Sequence, residues 1–356
     1  MKFVKLNTLL IAAAQPHHDT PNQAFNTSFH PASSAPDLAR PDDNPYSFKR
    51  WLPLILRTRQ SPLPPSSPPT TPQEAIIVSE PASSCPPLQT IPLTRAQTAL
   101  LLAAAEGSIP RGEINRTFRE DLTEEIIPLL ESRLVFPAEG LFLRLDACSP
   151  KDGVGPLALH DVWAVVRKVV TSVRARNALF NWTNSHPAGG SGGENQGRMM
   201  ELFFLPFDGR MAAEREYRVF CRPGDGRITG VSQYQWYKPW LFQRVDVEEK
   251  ERVVRRVMGG AEEVRRLILT ETEKRGERED RLMLEQGFSF DLFYDEERGR
   301  CELVELNTFG VRSACGSCLF QWVEDRKVLY GEEEAEFRVA VDIEGFEVNG
   351  GRRGQR

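Results

Sequence analysis

Asp291, Glu305 and Asn307 are the residues of this 356-residue chain whose types and spacing could do chemistry together. They lie in FSFDLFYDEERGRCELVELNTFG, residues 288–310, which reads as two strands about a turn. Glu297-Arg298-Gly299 fits a three-residue hairpin loop, Gly299 supplying its left-handed position. Pairing Glu296 with Arg300 then places Asp291 opposite Glu305. Because side chains alternate along a strand, Phe290 and Leu292 share a core face with Val304 and Leu306, while Asp291, Glu305 and Asn307 share the other. Carboxylates directly opposite each other destabilise a strand pair, and burial would raise one of their pKa values. A hard divalent cation relieves both problems: Mg²⁺ takes carboxylate and carbonyl oxygens and keeps water or phosphate ligands. An exposed sheet face whose acids simply meet water satisfies the same pattern.

These strands need a domain behind them. The chain has 40% hydrophobic and 27% charged residues and a formal net charge of −5, with room for one large or two modest domains. That charge gives no case for a dedicated nucleic-acid binder, and no apolar run approaches the ~20 residues of a membrane span. The N-terminal MKFVKLNTLLIAAAQ imitates a secretory signal, but Asn7 and Thr8 interrupt its apolar run. Up to about Leu88 the chain is rich in Pro, Ser, Thr and Asn, with PLPPSSPPTTP at 62–72. Such a segment buries too little apolar surface to offset its ordering entropy. One island, YSFKRWLPLIL at 46–56, carries Trp51 and is expected to dock. The expected organisation is a largely disordered arm over 1–87 with that docking segment, a domain over 88–345 and a disordered tail over 346–356.

Within the domain, helices are expected at 94–106 (capped by Thr94 and ended by Gly107), 117–132, 161–174 and 247–275. The last is charged in mixed sign and reads as a solvated face. Strands are expected at 141–145, 200–207, 216–221 and 228–233. The mixture with an antiparallel hairpin indicates an α+β fold. Six scattered cysteines read as reduced thiols. Cys315-Gly316-Ser317-Cys318 has the spacing of half a zinc site, with no second CxxC or nearby His to complete it. The glycine-rich 188–197 lacks the Gly-Lys-Ser/Thr ending of a phosphate loop. His17, His18, His30, His160 and His186 support no Ser-His-Asp arrangement, and His160-Asp161 reads as a helix cap.

Six stretches, FLRLDACSPKDG (142–153), EYRVFC (216–221), ITGVSQY (228–234), FSFDLFYD (288–295), LVELNTFG (303–310) and LFQW (319–322), resemble in order and spacing the cell division cycle protein 123 family. The island around Trp51-Leu52-Pro53 is similar to that family's N-terminal aromatic segment. The resemblance covers residues 88–341 and the island. It implies an ATP-grasp-like two-lobed fold holding ATP and Mg²⁺ between the lobes. It also implies a cytoplasmic assembly chaperone acting on the gamma subunit of eukaryotic translation initiation factor 2, with no membrane and no direct nucleic-acid partner. An ATP-binding chaperone is favoured over a turnover enzyme. The rivals are an ATP-grasp ligase and a paralogue that no longer binds nucleotide.

By position, the resemblance puts Asp291, Glu305 and Asn307 on the family's metal-binding Asp, Asp and Asn. Arg144 falls on its phosphate-contacting Lys, and Ala147, Ser149 and Lys151 lie in the same nucleotide-contacting turn. The strand at 200–207, with Leu202, Phe203 and Phe204, falls on the hinge whose backbone reads adenine. Arg218 and Gln233 match polar positions facing the cleft. Several positions depart from the pattern. Arg144 keeps the charge of Lys but is bulkier, and Glu305 adds a methylene that Mg²⁺ tolerates less readily than Ca²⁺. Leu205-Pro206-Phe207 replaces basic residues after the hinge, and the family's long acidic insertions are short or missing.

Overall fold

The computed structural model describes residues 1–14, 24–60, 87–185 and 199–342. The proline run at 62–72, the glycine-rich loop at 188–197, the tail at 346–356, Cys85, His17, His18 and His186 lie outside the described residues. In chain order the elements are β1 (Lys2–Asn7), α1 (Thr8–Ala13), α2 (Phe48–Gln60), β2 (Gln89–Leu93) and α3 (Arg95–Ser108). Then come α4 (Arg119–Glu125), α5 (Ile127–Glu131), β3 (Leu141–Leu145), α6 (Val162–Val170), α7 (Val173–Ser185) and β4 (Met200–Pro206). The chain continues with β5 (Glu216–Cys221), β6 (Ile228–Gln233), α8 (Val247–Arg275), α9 (Arg278–Gln286), β7 (Phe288–Asp295), β8 (Arg300–Thr308), α10 (Arg326–Leu329) and β9 (Glu336–Val341). Mixed helices and sheets make the fold α+β, and it divides into two compact units, residues 69–209 and residues 1–68 with 210–356.

The 69–209 unit is built on a three-stranded antiparallel sheet in the order β2-β4-β3. Alternation sends Leu141, Leu143, Leu145, Leu202 and Phe204 into a core with α3, α5 and α6, and leaves Phe142, Arg144, Phe203 and Leu205 on the other face. The Thr94 hydroxyl and the Gln97 side chain form a capping box at the start of α3. The expected stop at Gly107 is not observed. The helix runs through it to Ser108, and a left-handed Gly112 (φ 66°) closes the following turn. Gly107 serves close approach instead, since a Cβ there would lie 2.1 Å from the Asn115 amide nitrogen. Pro128 near the start of α5 separates it from α4, so the single helix expected at 117–132 is two. Asp161 accepts from the Ala164 N–H at 2.7 Å and caps α6.

The larger unit carries a six-stranded sheet in the order β1-β9-β6-β5-β7-β8. β9 runs parallel to both β1 and β6, and the remaining pairs are antiparallel. The charged helix α8 is not simply a solvated face. Val253, Val257, Ala261, Val264 and Ile268 form a buried stripe at helical spacing, and α8 packs on β8. The N-terminal arm also departs from the expectation of disorder wherever it is described. β1 adds to the edge of β9 through six register pairs, because an open strand edge offers unpaired N–H and C=O groups to any segment that can lie extended. Residues 26–30 hydrogen-bond to the loop that follows β8. Trp51 is 1% exposed, donates its indole N–H to the Pro45 carbonyl at 2.8 Å and lies under the Arg275 guanidinium. Arg50 of the same helix pairs with Asp280 at 2.7 Å.

Candidate cation site

The β7–β8 hairpin places Asp291 directly opposite Glu305, by a route different from the one expected. Asp295, not Glu296, pairs with Arg300, so the loop has four residues, with Gly299 left-handed (φ 62°). A bulge then inserts Val304: Leu292 pairs with Leu303, while Asp291 pairs with Glu305. The two one-residue shifts cancel at the acids. They do not cancel for the apolar partner, so Leu303 is the fully buried residue and Val304 is half-buried.

Asp291 is 1% exposed and Arg218, its neighbour on β5, is 6% exposed. Arg218 donates from Nε to Oδ1 of Asp291 at 2.7 Å and from Nη2 to Oδ2 at 2.8 Å. Its Nη1 donates to the Gly316 carbonyl at 2.7 Å, and its guanidinium lies 5.2 Å from the centre of the Tyr234 ring. The Asn307 amide nitrogen reaches Oδ2 of Asp291 at 3.4 Å. Burial pushes the Asp291 carboxyl up, the Arg218 charge opposes that, and Glu305 adds a further upward push. Burial also raises both thiols of the following loop, Cys318 to about 12, so neither is a thiolate at neutral pH.

The buried Asp291 thus faces a guanidinium on one side and a second, half-buried acid, Glu305, on the other. Among the described residues, no three His, Cys, Asp or Glu side chains converge as a metal cluster. The donor set is two carboxylates and an amide, whose half-turn rotation would present oxygen in place of nitrogen. Hard oxygen donors of this kind fit Mg²⁺, with its remaining positions left to water or phosphate.

Gln233 does not join this group. It pairs with Tyr217, and Ser232 pairs with Arg218, so the Gln233 and Arg218 side chains leave opposite faces of the sheet. Gln233 donates to the carbonyls of Gln235 and Lys238 and accepts from the Ala340 N–H. Those bonds fix backbone. Leu202, Phe203 and Phe204, expected at an adenine-reading hinge, sit in the middle of a sheet. They lie in the central strand β4, paired to β2 on one side and β3 on the other, and their N–H and C=O groups are committed to the two ladders.

In the 69–209 unit, Arg144 is buried on β3, while Ala147 and Lys151 are exposed and Ser149 is buried in the turn that follows. Sequence reasoning missed the residue that fastens this turn. Lys168 is 2% exposed and donates to the carbonyls of Gly153 and Gly155, both at 2.8 Å. Burial lowers its pKa, and Asp152 pulls it back up. Thr171 accepts from the Val154 N–H, and Ser172 donates to Asp152 at 2.6 Å. The available signal was position: Lys168 follows Val165 by three residues, on the buried stripe of α6.

The class of fold is therefore α+β in two units, one of which bears a buried Asp291 opposite a half-buried Glu305 on a hairpin. No protein-family model matches the sequence, and no curated protein does. Among solved structures, Cdc123 from Schizosaccharomyces pombe matches at 16% identity with a TM-score of 0.47, covering 83% of this chain and 95% of that one. A C-terminally truncated form of the same protein matches at 16% identity and 0.47, covering 84% and 96%. These are structures of the family that the six sequence motifs resemble. At that identity the likeness says nothing of ligand or partner. No helix among the described residues is long and apolar enough to cross a membrane.

Proposed function

We propose that this chain binds ATP with Mg²⁺ and acts as an assembly chaperone. In this reading Asp291, Glu305 and Asn307 hold the metal, and Arg144, Ser149 and Lys151 serve the phosphates. The observation that supports it is the direct pairing of Asp291 with Glu305 on one sheet face, with the Asn307 amide beside them. The bound metal would neutralise phosphate charge. Lys168 would keep the 150–155 turn in shape. Turnover is not required, because a ligand stabilises whichever conformation it binds better. The client, the gamma subunit of eukaryotic translation initiation factor 2, and a cytoplasmic site of action are carried over from the motif resemblance alone.

Calorimetric titration of the full chain with ATP tests the first step. Binding should require Mg²⁺ and weaken at least about tenfold in Asp291→Ala, the loss of one charge-assisted contact. Capture of the gamma subunit, with and without ATP, tests the second step. A nucleotide-free module is the second reading, and one observation favours it: Arg218 already satisfies both oxygens of Asp291. Absence of ATP binding by the wild-type chain in Mg²⁺ would select that reading.

A further inference from the structure

Arg218 has three neighbours: the Asp291 carboxylate, the Gly316 carbonyl and the Tyr234 ring. Gly316 belongs to the loop between β8 and α10, and residues 26–30 of the N-terminal arm are bonded to that loop at close intervals. The Asn26 N–H donates to the Cys318 carbonyl at 2.8 Å, and the Cys318 N–H returns to Oδ1 of Asn26 at 3.2 Å. Ser317 donates to the Thr27 carbonyl, Phe29 to the Ser313 carbonyl and His30 to the Val311 carbonyl. Asn26 (φ 53°), Phe29 (φ 54°) and Cys318 (φ 50°) are the three non-glycine residues with left-handed backbone among those described. Each is a costly conformation for an L-residue, maintained by its surroundings.

We propose that Arg218 is a positioning residue that competes with the cation for Asp291 and transmits the cation's presence, through Gly316, to the arm at residues 26–30. This rests on the metal reading given above. A divalent cation at Asp291 stands beside a buried guanidinium, and like charges repel strongly where water is excluded. The guanidinium must give up part of its grip on Asp291, and its remaining hydrogen bond is to the loop, at the Gly316 carbonyl. Arm and loop hold three strained residues, so a shift at Gly316 reaches backbone that has a less costly conformation available. The contacts form one unbroken physical path, and coupling through it is reciprocal: whatever tightens the arm weakens the cation.

The test uses the full chain and Mn²⁺ as a paramagnetic stand-in for Mg²⁺, with and without ATP. Free Mn²⁺ is titrated by electron paramagnetic resonance into the wild type and Arg218→Gln. Removal of the competing guanidinium should tighten Mn²⁺ about tenfold. Hydrogen exchange of the wild type at residues 26–30 and 311–318 should become about tenfold faster when Mn²⁺ is bound. Equal or weaker Mn²⁺ binding by Arg218→Gln overturns the competition. Unchanged exchange in a loaded wild type overturns the transmission, and decides alone if Arg218→Gln does not fold. A wild type that binds neither Mn²⁺ nor Mn²⁺–ATP sinks the metal reading itself, and the coupling with it.

Discussion

Two buried arginines stand two strands apart on one face of the large sheet, and they live in opposite electrostatic circumstances. Ser232 of β6 is the register partner of both Arg218 on β5 and Arg338 on β9. Arg338 donates to Glu336, to both oxygens of Asp325 and to the Leu319 carbonyl, and lies 4.2 Å from the Phe320 ring centre. Lys2 completes that group at 3.1 Å from Glu336, so two cations meet two anions. Arg218 makes nearly the same bonds, but its partner Asp291 stands opposite a second acid, Glu305, and burial raises the Asp291 carboxyl, whereas the cations around Glu336 lower that one. Similar chemistry therefore holds one carboxylate easily and the other against the cost of burial. Buried charge is tolerated when neutralised, and Asp291 is the less well neutralised of the two.

The sharpest way to break this comparison is Arg338→Ala. It removes the guanidinium shared by the half-buried Asp325 and by Glu336, which keeps only Lys2, and should cost about 3 kcal/mol in urea denaturation. Asp291→Asn should cost less, about 2 kcal/mol, because Glu305 remains to face Arg218. Equal losses would mean that the two clasps are alike. Gly316→Ala comes next. Its Cβ would lie 2.3 Å from the Asn26 side-chain oxygen, and displacing that cap should cost about 1 kcal/mol, read from the same urea midpoints. The smallest effect is acid dependence at the Arg338 clasp. Burial alone would raise Glu336, but Arg338 and Lys2 outweigh it and its pKa lies below the usual 4.5. A depressed folded value adds stability that is complete above the unfolded value and vanishes as pH falls through the folded one. Urea midpoints should therefore fall as pH drops below the usual 4.5, and Glu336→Gln should flatten part of that fall.

The hairpin acids were legible because strand alternation and a turn glycine are local signals. The bulge at Val304 was not, since it answers to packing on both faces of the sheet, and the acids met only because it offset a longer turn. The central place of Leu202, Phe203 and Phe204 was hidden for a related reason. A strand's apolar residues are visible in sequence, but whether it is central, with its backbone committed on both sides, depends on strand order. Lys168 was hidden by its charge, which reads as surface until its spacing against Val165 is counted. The order of β1 was not legible in the arm's composition, because it comes from a partner strand late in the chain.

That last pairing has a consequence for how the protein is made. The Lys2 ammonium meets Glu336 across 334 sequence positions. Of the described strands β1 is made first and β9 last, so β1 must wait for its partner, and contacts so distant in sequence form slowly. Once β9 has joined β6, β1 can add to it, and a tag fused ahead of Met1, whose amine reaches Glu334, would burden that closing step.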